Sequence, residues 1–352
     1  MQQEALGIFR ALGLPTRRTE DWSYFPTSLL SKISRLTFID DAHFKIDAGD
    51  ARNVERLAES NFSAADFQIE KETDISALLP LALGAKSFVK EIPEGVNETG
   101  ILKAHDEFSH TVFRLGKNAK ASLEILENKI VREISAERLD FFVDEGAELE
   151  LFSTEESHAG ELKFRSIRIH QEKNSRVNIL DLNRTDSTRR VSVSAFLNGE
   201  GAEFAFRELN QLGNSASENG FVRVYHNAAN CKSHQFVRNL LSDHSYMSYA
   251  GGVTAGLDCP GTDSSELINT MLLSDDSKIC VKPTLKLYHD DVACSHGNTV
   301  GSLDEESIFY LMSRGIEKEK AEALLMQAFA KDVIAEHPGA LGRNRMFKLL
   351  EV

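Results

Sequence analysis

From about residue 85 onward the chain alternates apolar and polar side chains in short runs. Ala121-Ser122-Leu123-Glu124-Ile125-Leu126, Leu149-Glu150-Leu151-Phe152, Val177-Asn178-Ile179-Leu180-Asp181-Leu182 and Phe204-Ala205-Phe206 are four of them. Each places apolar residues on one side of an extended chain, the period-two signature of half-buried strands. The runs also share a frame. Each follows a small turn: Lys117-Asn118-Ala119, Glu145-Gly146-Ala147, Asn174-Ser175-Arg176 and Glu200-Gly201-Ala202. The steps between Ala119, Ala147, Ser175 and Ala202 are 28, 28 and 27 residues, and a further step lands on Ala229. A repeat of strands and turns without helices predicts a mainly β fold, a β-solenoid in which each coil supplies two strands. One coil cannot bury its inner face alone, so stacking creates the core.

The two ends read as helix. Gln2 to Leu12 carries apolar residues at Leu6, Ile8, Phe9 and Leu12, with Gly13 and Pro15 as stop signals. The only Trp lies in Arg17-Arg18-Thr19-Glu20-Asp21-Trp22, which reads as a packed entry segment. Near the other end, Ser302-Leu303-Asp304-Glu305 has the spacing of a capping box. Ile308, Leu311 and Met312 then form an apolar stripe, and Gly315 suits a left-handed helix end. A second helix is expected through Ala321, Leu324, Leu325, Ala328, Phe329 and Val333, closing near Pro338. Such a pair either caps the stack or offers a face to another protein. The expected division is a helical and mixed segment over 1–85, a β-solenoid over 86–301 and a helical segment over 302–352.

Composition narrows the function. With 40 Lys+Arg against 54 Asp+Glu in 352 residues the net charge is −14, which opposes bulk binding to nucleic acid or anionic lipid. Mean hydropathy is −0.28 and no apolar run has the length of a membrane span. The N-terminus lacks the pattern of a signal peptide. Cys231, Cys259, Cys280 and Cys294 show no CxxC spacing, so reduced thiols in a cytoplasmic protein are expected.

The phosphate-binding loop, the G-x-G-x-x-G fingerprint, H-E-x-x-H and the G-x-S-x-G elbow are all missing. One dense group of ligand-type residues remains, Tyr288-His289-Asp290-Asp291-Val292-Ala293-Cys294-Ser295-His296-Gly297. In an extended chain Cys294 and His296 project from one face and could share iron or Zn²⁺. Two side chains do not close a four-ligand site, and Cys280 is a candidate neighbour from the preceding run. His226, His234 and His244 read as structural or exposed, and Cys231 and Cys259 as packing thiols. One function class open at this point is a stand-alone metalloenzyme using Cys294, His296, His289 or the Asp290-Asp291 pair.

A second class comes from resemblance. Lys282-Pro283-Thr284-Leu285-Lys286-Leu287, Asp290-Asp291-Val292, Cys294-Ser295-His296-Gly297-Asn298-Thr299-Val300-Gly301 and Ile308-Phe309-Tyr310-Leu311-Met312-Ser313-Arg314-Gly315-Ile316 follow in close succession. Together with Gly13-Leu14-Pro15-Thr16-Arg17-Arg18 and Glu20-Asp21-Trp22, this resembles the SufB/SufD family of the Suf iron–sulfur cluster assembly system. Gly297, after the motif histidine, points to the SufD branch, while Asn298 and Cys280 depart from the usual pattern. The resemblance implies a right-handed parallel β-helix flanked by helices, acting as a non-catalytic scaffold. It implies pairing with a SufB-like subunit, and a transient iron–sulfur cluster built at the shared interface rather than held tightly by the isolated chain. It assigns His296 to that interface, with Cys294 beside it. It also implies docking of a SufC-like ABC-type ATPase through the C-terminal helices, for which Phe309, Tyr310, Arg314, Leu324, Leu325 and Phe329 are the candidates. Without its partner, an exposed solenoid edge also fits a homodimer.

Overall fold

The computed structural model describes residues 1–36, 54–56, 62, 64–85, 87–103, 106–126, 133–155, 159–335 and 339–350. Two sheets face each other across a narrow bore. The first holds β1 (Val54–Arg56), β2 (Ser87–Ile92), β4 (Phe108–Leu115), β6 (Ile134–Val143), β8 (Leu162–Gln171), β10 (Thr188–Leu197), β12 (Ser217–His226) and β14 (Tyr246–Ala255), and ends in the short pair β16 (Lys278–Val281) and β17 (Thr284–Leu287). The second holds β3 (Asn97–Lys103), β5 (Lys120–Leu126), β7 (Glu148–Glu155), β9 (Arg176–Asn183), β11 (Glu203–Leu212), β13 (Lys232–Leu241), β15 (Thr262–Leu272) and β18 (Val292–Gly301). Spatial neighbours are alternate strands in sequence, and every pairing is parallel except β1 on β2. The chain therefore winds as a parallel β-solenoid of about seven coils, each giving one strand to each sheet.

One corner explains the sequence frame. Asn118, Gly146, Asn174, Gly201, Asn230 and Gly261 occupy it in succession, all at φ between 54° and 72°. This left-handed region is open to Gly and tolerated by Asn. Their amides bond up the stack, from Asn118 to the Glu145 carbonyl at 3.0 Å and from Gly146 to that of Lys173 at 2.9 Å. Each glycine leaves room for the asparagine of the preceding coil: a Cβ on Gly201 would lie 2.6 Å from Asn174 Oδ1. The expected step to Ala229 is two residues short. Lys232 N bonds to the Ala202 carbonyl and Glu203 pairs with Lys232, so Cys231 is the true equivalent of Ala202. The corner at 227–230 accommodates the additional residues.

Inside the bore, equivalent residues stack in columns at strand spacing. At the β5 end they are apolar, as in Ala121–Leu149–Val177–Phe204, and form the main core. Farther along the columns turn polar. Asn183, Asn210, Asn239 and Thr270 make a hydrogen-bonded ladder of 3.0, 2.9 and 3.0 Å. Buried ion pairs join Arg189 to Asp181 at 2.7 Å and Lys163 to Glu155 at 2.6 Å. A buried charge is tolerable when so paired.

The terminal segments wrap opposite flanks. Helix α1 (Gln2–Leu12) matches the expectation and packs on α2 (Ile75–Ala82), all eight of whose residues are buried. They cover the outer face of the first sheet with Trp22 and Phe25. Beneath them, Arg138 and His110 hold Asp140 at 2.7 and 2.8 Å, with all three side chains buried.

At the other end α3 (Glu305–Ser313) is capped by Asp304, which accepts from Ser307 N at 3.1 Å; Ser302 is not the cap. β18 runs to Gly301, so the helix begins two residues later than the capping-box spacing implies. Gly315 does take the left-handed conformation, at φ 86°. Helix α4 (Lys318–Ala335) and a third helix that the pattern did not reveal, α5 (Ala340–Leu350), lie on the outer face of the second sheet. Pro338 lies outside the described residues. The helices thus line a flank, and the β18 edge carries no further strand among the described residues.

Candidate functional site

β18 is the last strand of the second sheet and, among the described residues, pairs on one side to β15 alone. Cys294 lies over Ser264 and His296 over Glu266. Ser264 and Glu266 face the bore and are buried, so Cys294 and His296 belong to the inward columns. They are nonetheless half-buried and exposed respectively, since no coil follows them. The sequence expectation that the two share one face is met, and the face is the open end of the bore.

Burial pushes the Cys294 thiol above its ordinary range, with the Asp263 carboxylate adding to the effect and the Ser264 amide opposing it. A positive charge brought near it would favour the thiolate. Behind Cys294, Ser264 bonds to Ser233 at 2.8 Å, and Ser233 bonds to the buried His226 at 2.9 Å.

The other candidate ligands are not gathered at this point. Cys280 is on β16, whose partner is β14 of the first sheet, so it does not stand beside Cys294. The two residues belong to opposite sheets. His289 accepts the Asp291 amide at 3.0 Å, and the Asp291 carboxylate accepts the Gly261 amide at 3.2 Å, which commits both to the corner before β18. Among the described residues no three His, Cys, Asp or Glu side chains converge on a metal-sized position. Cys231 and Cys259 are buried and donate to the Gly199 and His226 carbonyls at 3.3 and 2.9 Å, as packing thiols do.

Sequence reasoning missed Glu266. It is 2% exposed, and neither carboxylate oxygen has a hydrogen-bond partner. Burial raises its pKa to about 7 against the opposing pull of Arg223. Its carboxylate fills the space left by Gly251 on the opposite sheet, where a Cβ would come within 2.3 Å. The available signal was its position in frame with His296, through Ser264-x-Glu266 and Cys294-x-His296.

The C-terminal candidates divide. Phe309 is 73% exposed and Tyr310 58% exposed on α3, with Arg314 lying 5.3 Å from the Tyr310 ring. Leu324 on α4 is also exposed. Leu325 is half-buried, and Phe329 turns toward the second sheet, with the Arg238 guanidinium 4.6 Å from its ring. A groove of about 800 Å³ runs between α3, the start of α4 and the ends of β15 and β18, lined by Phe309, Met312, Leu272 and Val300. Among the described residues no helix is long and apolar enough to cross a membrane.

The family model "SUF system FeS cluster assembly, SufBD core domain" matches residues 99–329, well over half of the chain. The chain belongs to the SufB/SufD family. Its similarity to the iron–sulfur cluster assembly protein SufD of Escherichia coli is 33% identity over 144 residues, 41% of this chain and 34% of that protein. A SufBD family protein of Synechocystis is 25% identical over 219 residues, 62% of this chain and 47% of the relative. The chloroplastic protein ABCI7 of Arabidopsis thaliana is 33% identical over 90 residues, 26% of this chain and 19% of the relative. The matched stretches thus span less than half the length of each of these relatives. The chain is SufD-like, and its family is one of iron–sulfur cluster assembly.

Proposed function

We propose that this chain is a non-catalytic scaffold subunit of the SUF system, pairing through the β18 edge with a SufB-like subunit. The observation that carries this reading is the placement of Cys294 and His296 on an unpaired edge strand, as an incomplete ligand set at an open end. A partner strand there would use the free backbone groups of β18 and bring the missing donors. The nascent cluster is the cargo of that interface. His296 offers an imidazole lone pair, and Cys294 a thiol that ionises once a cation approaches. A SufC-like ABC-type ATPase docks on the exposed face of Phe309, Tyr310, Arg314 and Leu324, with Leu325 and Phe329 supporting that face from behind, and performs the ATP hydrolysis.

The test is reconstitution with SufB-like and SufC-like partners, reading cluster yield by visible absorbance and by iron and sulfide content. His296→Ala should leave the complex assembled on size exclusion and reduce cluster yield at least tenfold. Full yield in that variant would refute the assignment of His296.

A further inference from the structure

A second cavity lies away from the β18 edge, on the outer face of the first sheet. It has a volume of about 400 Å³ and is walled by Glu20 and Asp21 on one side and the 68–74 segment on the other. Its floor is built of two outward columns. One is an aromatic stack, Phe142–His170–Phe196–Tyr225, with ring centroids 4.8, 4.9 and 5.0 Å apart and nearly parallel planes. The stack ends at Tyr225, and the following register positions are Thr254 and Lys286. The other column runs Arg168, Ser194, Arg223, then Gly252 and Thr284.

Arg168 and Arg223 are paired, to Glu72 and to the Ala250 carbonyl, but other polar groups on this floor are uncommitted. Among the described residues the His170 ring nitrogens, the Ser194, Tyr225 and Thr284 hydroxyls and the Lys286 ammonium have no side-chain hydrogen-bond partner, although all five residues line the cavity. His170 and Ser194 are buried and Tyr225 and Thr284 half-buried, and buried polar groups normally find partners, so these are placed for something that enters the cavity. Burial holds His170 neutral, with its pKa lowered to about 4, so it offers both a donor and an acceptor.

Charge gives the class of ligand. The four wall carboxylates each have a cation: Glu20 with Lys282 at 2.7 Å, Glu72 with Arg168 at 2.9 Å, Asp74 with Arg190 at 3.1 Å and Asp21 with Arg223 at 3.5 Å. Among the described residues Lys71 and Lys286 line the cavity with no carboxylate within ion-pair distance. With Lys282 and Arg190 counted behind the wall, cations outnumber the carboxylates here, which favours a small anion in a chain of net charge −14. The half-buried Phe196 and Tyr225 rings and the Arg223 guanidinium, 4.3 Å from the Phe221 ring, supply a wall for a flat ring.

We propose that this cleft binds a nucleoside monophosphate, its base against the Tyr225 end of the aromatic stack and its phosphate at Lys286. The site lies on the sheet opposite β18. Trp22, the only tryptophan, packs 4.0 Å from Arg190 behind the Glu20–Asp21 wall and reports on occupancy. The purified chain is titrated with AMP, GMP and UMP, and with adenosine, ribose 5-phosphate and inorganic phosphate, by calorimetry and Trp22 fluorescence. At least one nucleotide should bind at a single site, tenfold or more tighter than the nucleoside or the sugar phosphate. Lys286→Ala, at an exposed position, should reduce its affinity to that of the nucleoside. Tyr225→Leu should reduce it to that of the sugar phosphate, with the thermal midpoint confirming that the variant is folded. No saturable binding by any of the three nucleotides, or binding that survives both substitutions, overturns the proposal.

Discussion

His296 stands one strand above Glu266 in the parallel pairing of β18 on β15, an exposed imidazole over a carboxylate that is buried and has no hydrogen-bond partner. The carboxylate exists there because Gly251, across the bore, has no side chain to exclude it. Gly251→Ala should therefore destabilise the fold by about 1–3 kcal/mol through overpacking. In a Glu266→Ala background the same change should cost less than half as much. Equal costs in the two backgrounds, measured by chemical denaturation, would show that the contact does not limit packing.

Glu266 also makes stability depend on pH. Its folded pKa of about 7 lies above the ordinary carboxylate value, so the folded state holds the proton more tightly than the unfolded chain. Unfolding then releases a proton between about pH 4.5 and 7, and stability falls as pH rises across that window. Glu266→Gln removes this contribution. It should be more stable than the parent at pH 8, by about 1–3 kcal/mol, with the difference closing toward pH 4.5. Thermal midpoints of both proteins across this range check it.

The Asn–Gly corner makes a paired prediction. Gly201→Ala forces a Cβ at φ 72° against Asn174 Oδ1, whereas Gly315→Ala meets a comparable φ of 86° with open space around it. Both should destabilise, the first by about 1–3 kcal/mol and by more than the second. The difference in unfolding free energy measures the contact between coils.

On the C-terminal helices, exposure separates binding from stability. Phe309→Ala and Tyr310→Ala should change the unfolding free energy by no more than about 0.5 kcal/mol, as surface changes do. Each should weaken binding of a SufC-like ATPase at least tenfold, read by calorimetry. Phe329→Ala should instead cost about 1–3 kcal/mol of stability, because its ring packs toward the second sheet beneath Arg238.

The second sheet was legible because its strands begin with residues alternating between bore and surface, before the C-terminal helices cover the outer face, and each follows a corner that demands Asn or Gly. Asn118, Gly146, Asn174 and Gly201 set the repeat, and the apolar alternation of β5, β7, β9 and β11 follows them in frame. The first sheet was much harder to read. β6 and β8 are buried on both faces, so Glu137, Arg138, Asp140, Lys163, Arg165 and Arg168 interrupt their apolar residues and erase the period. Cys294 and His296 were readable as a pair because two residues along one strand suffice. Glu266 was not, since pairing positions 30 residues apart requires the length of that particular coil. Ser302 competed with Asp304 for the helix start, and the end of β18 decided between them.

With the N-terminal segment lying along one sheet and the C-terminal helices along the other, both broad sides of the solenoid are occupied by its own chain. Lengthening is then possible only along the stacking axis, and at β18 the unused amides and carbonyls set the direction and spacing of whatever joins. Any strand accepted there becomes the next rung, with its inward side chains delivered over Cys294 and His296 by the register already running through the columns below. Under the proposed pairing, alignment of the two halves of the site would be inherited from the winding of the chain itself, and the residues that meet would not need to recognise one another first.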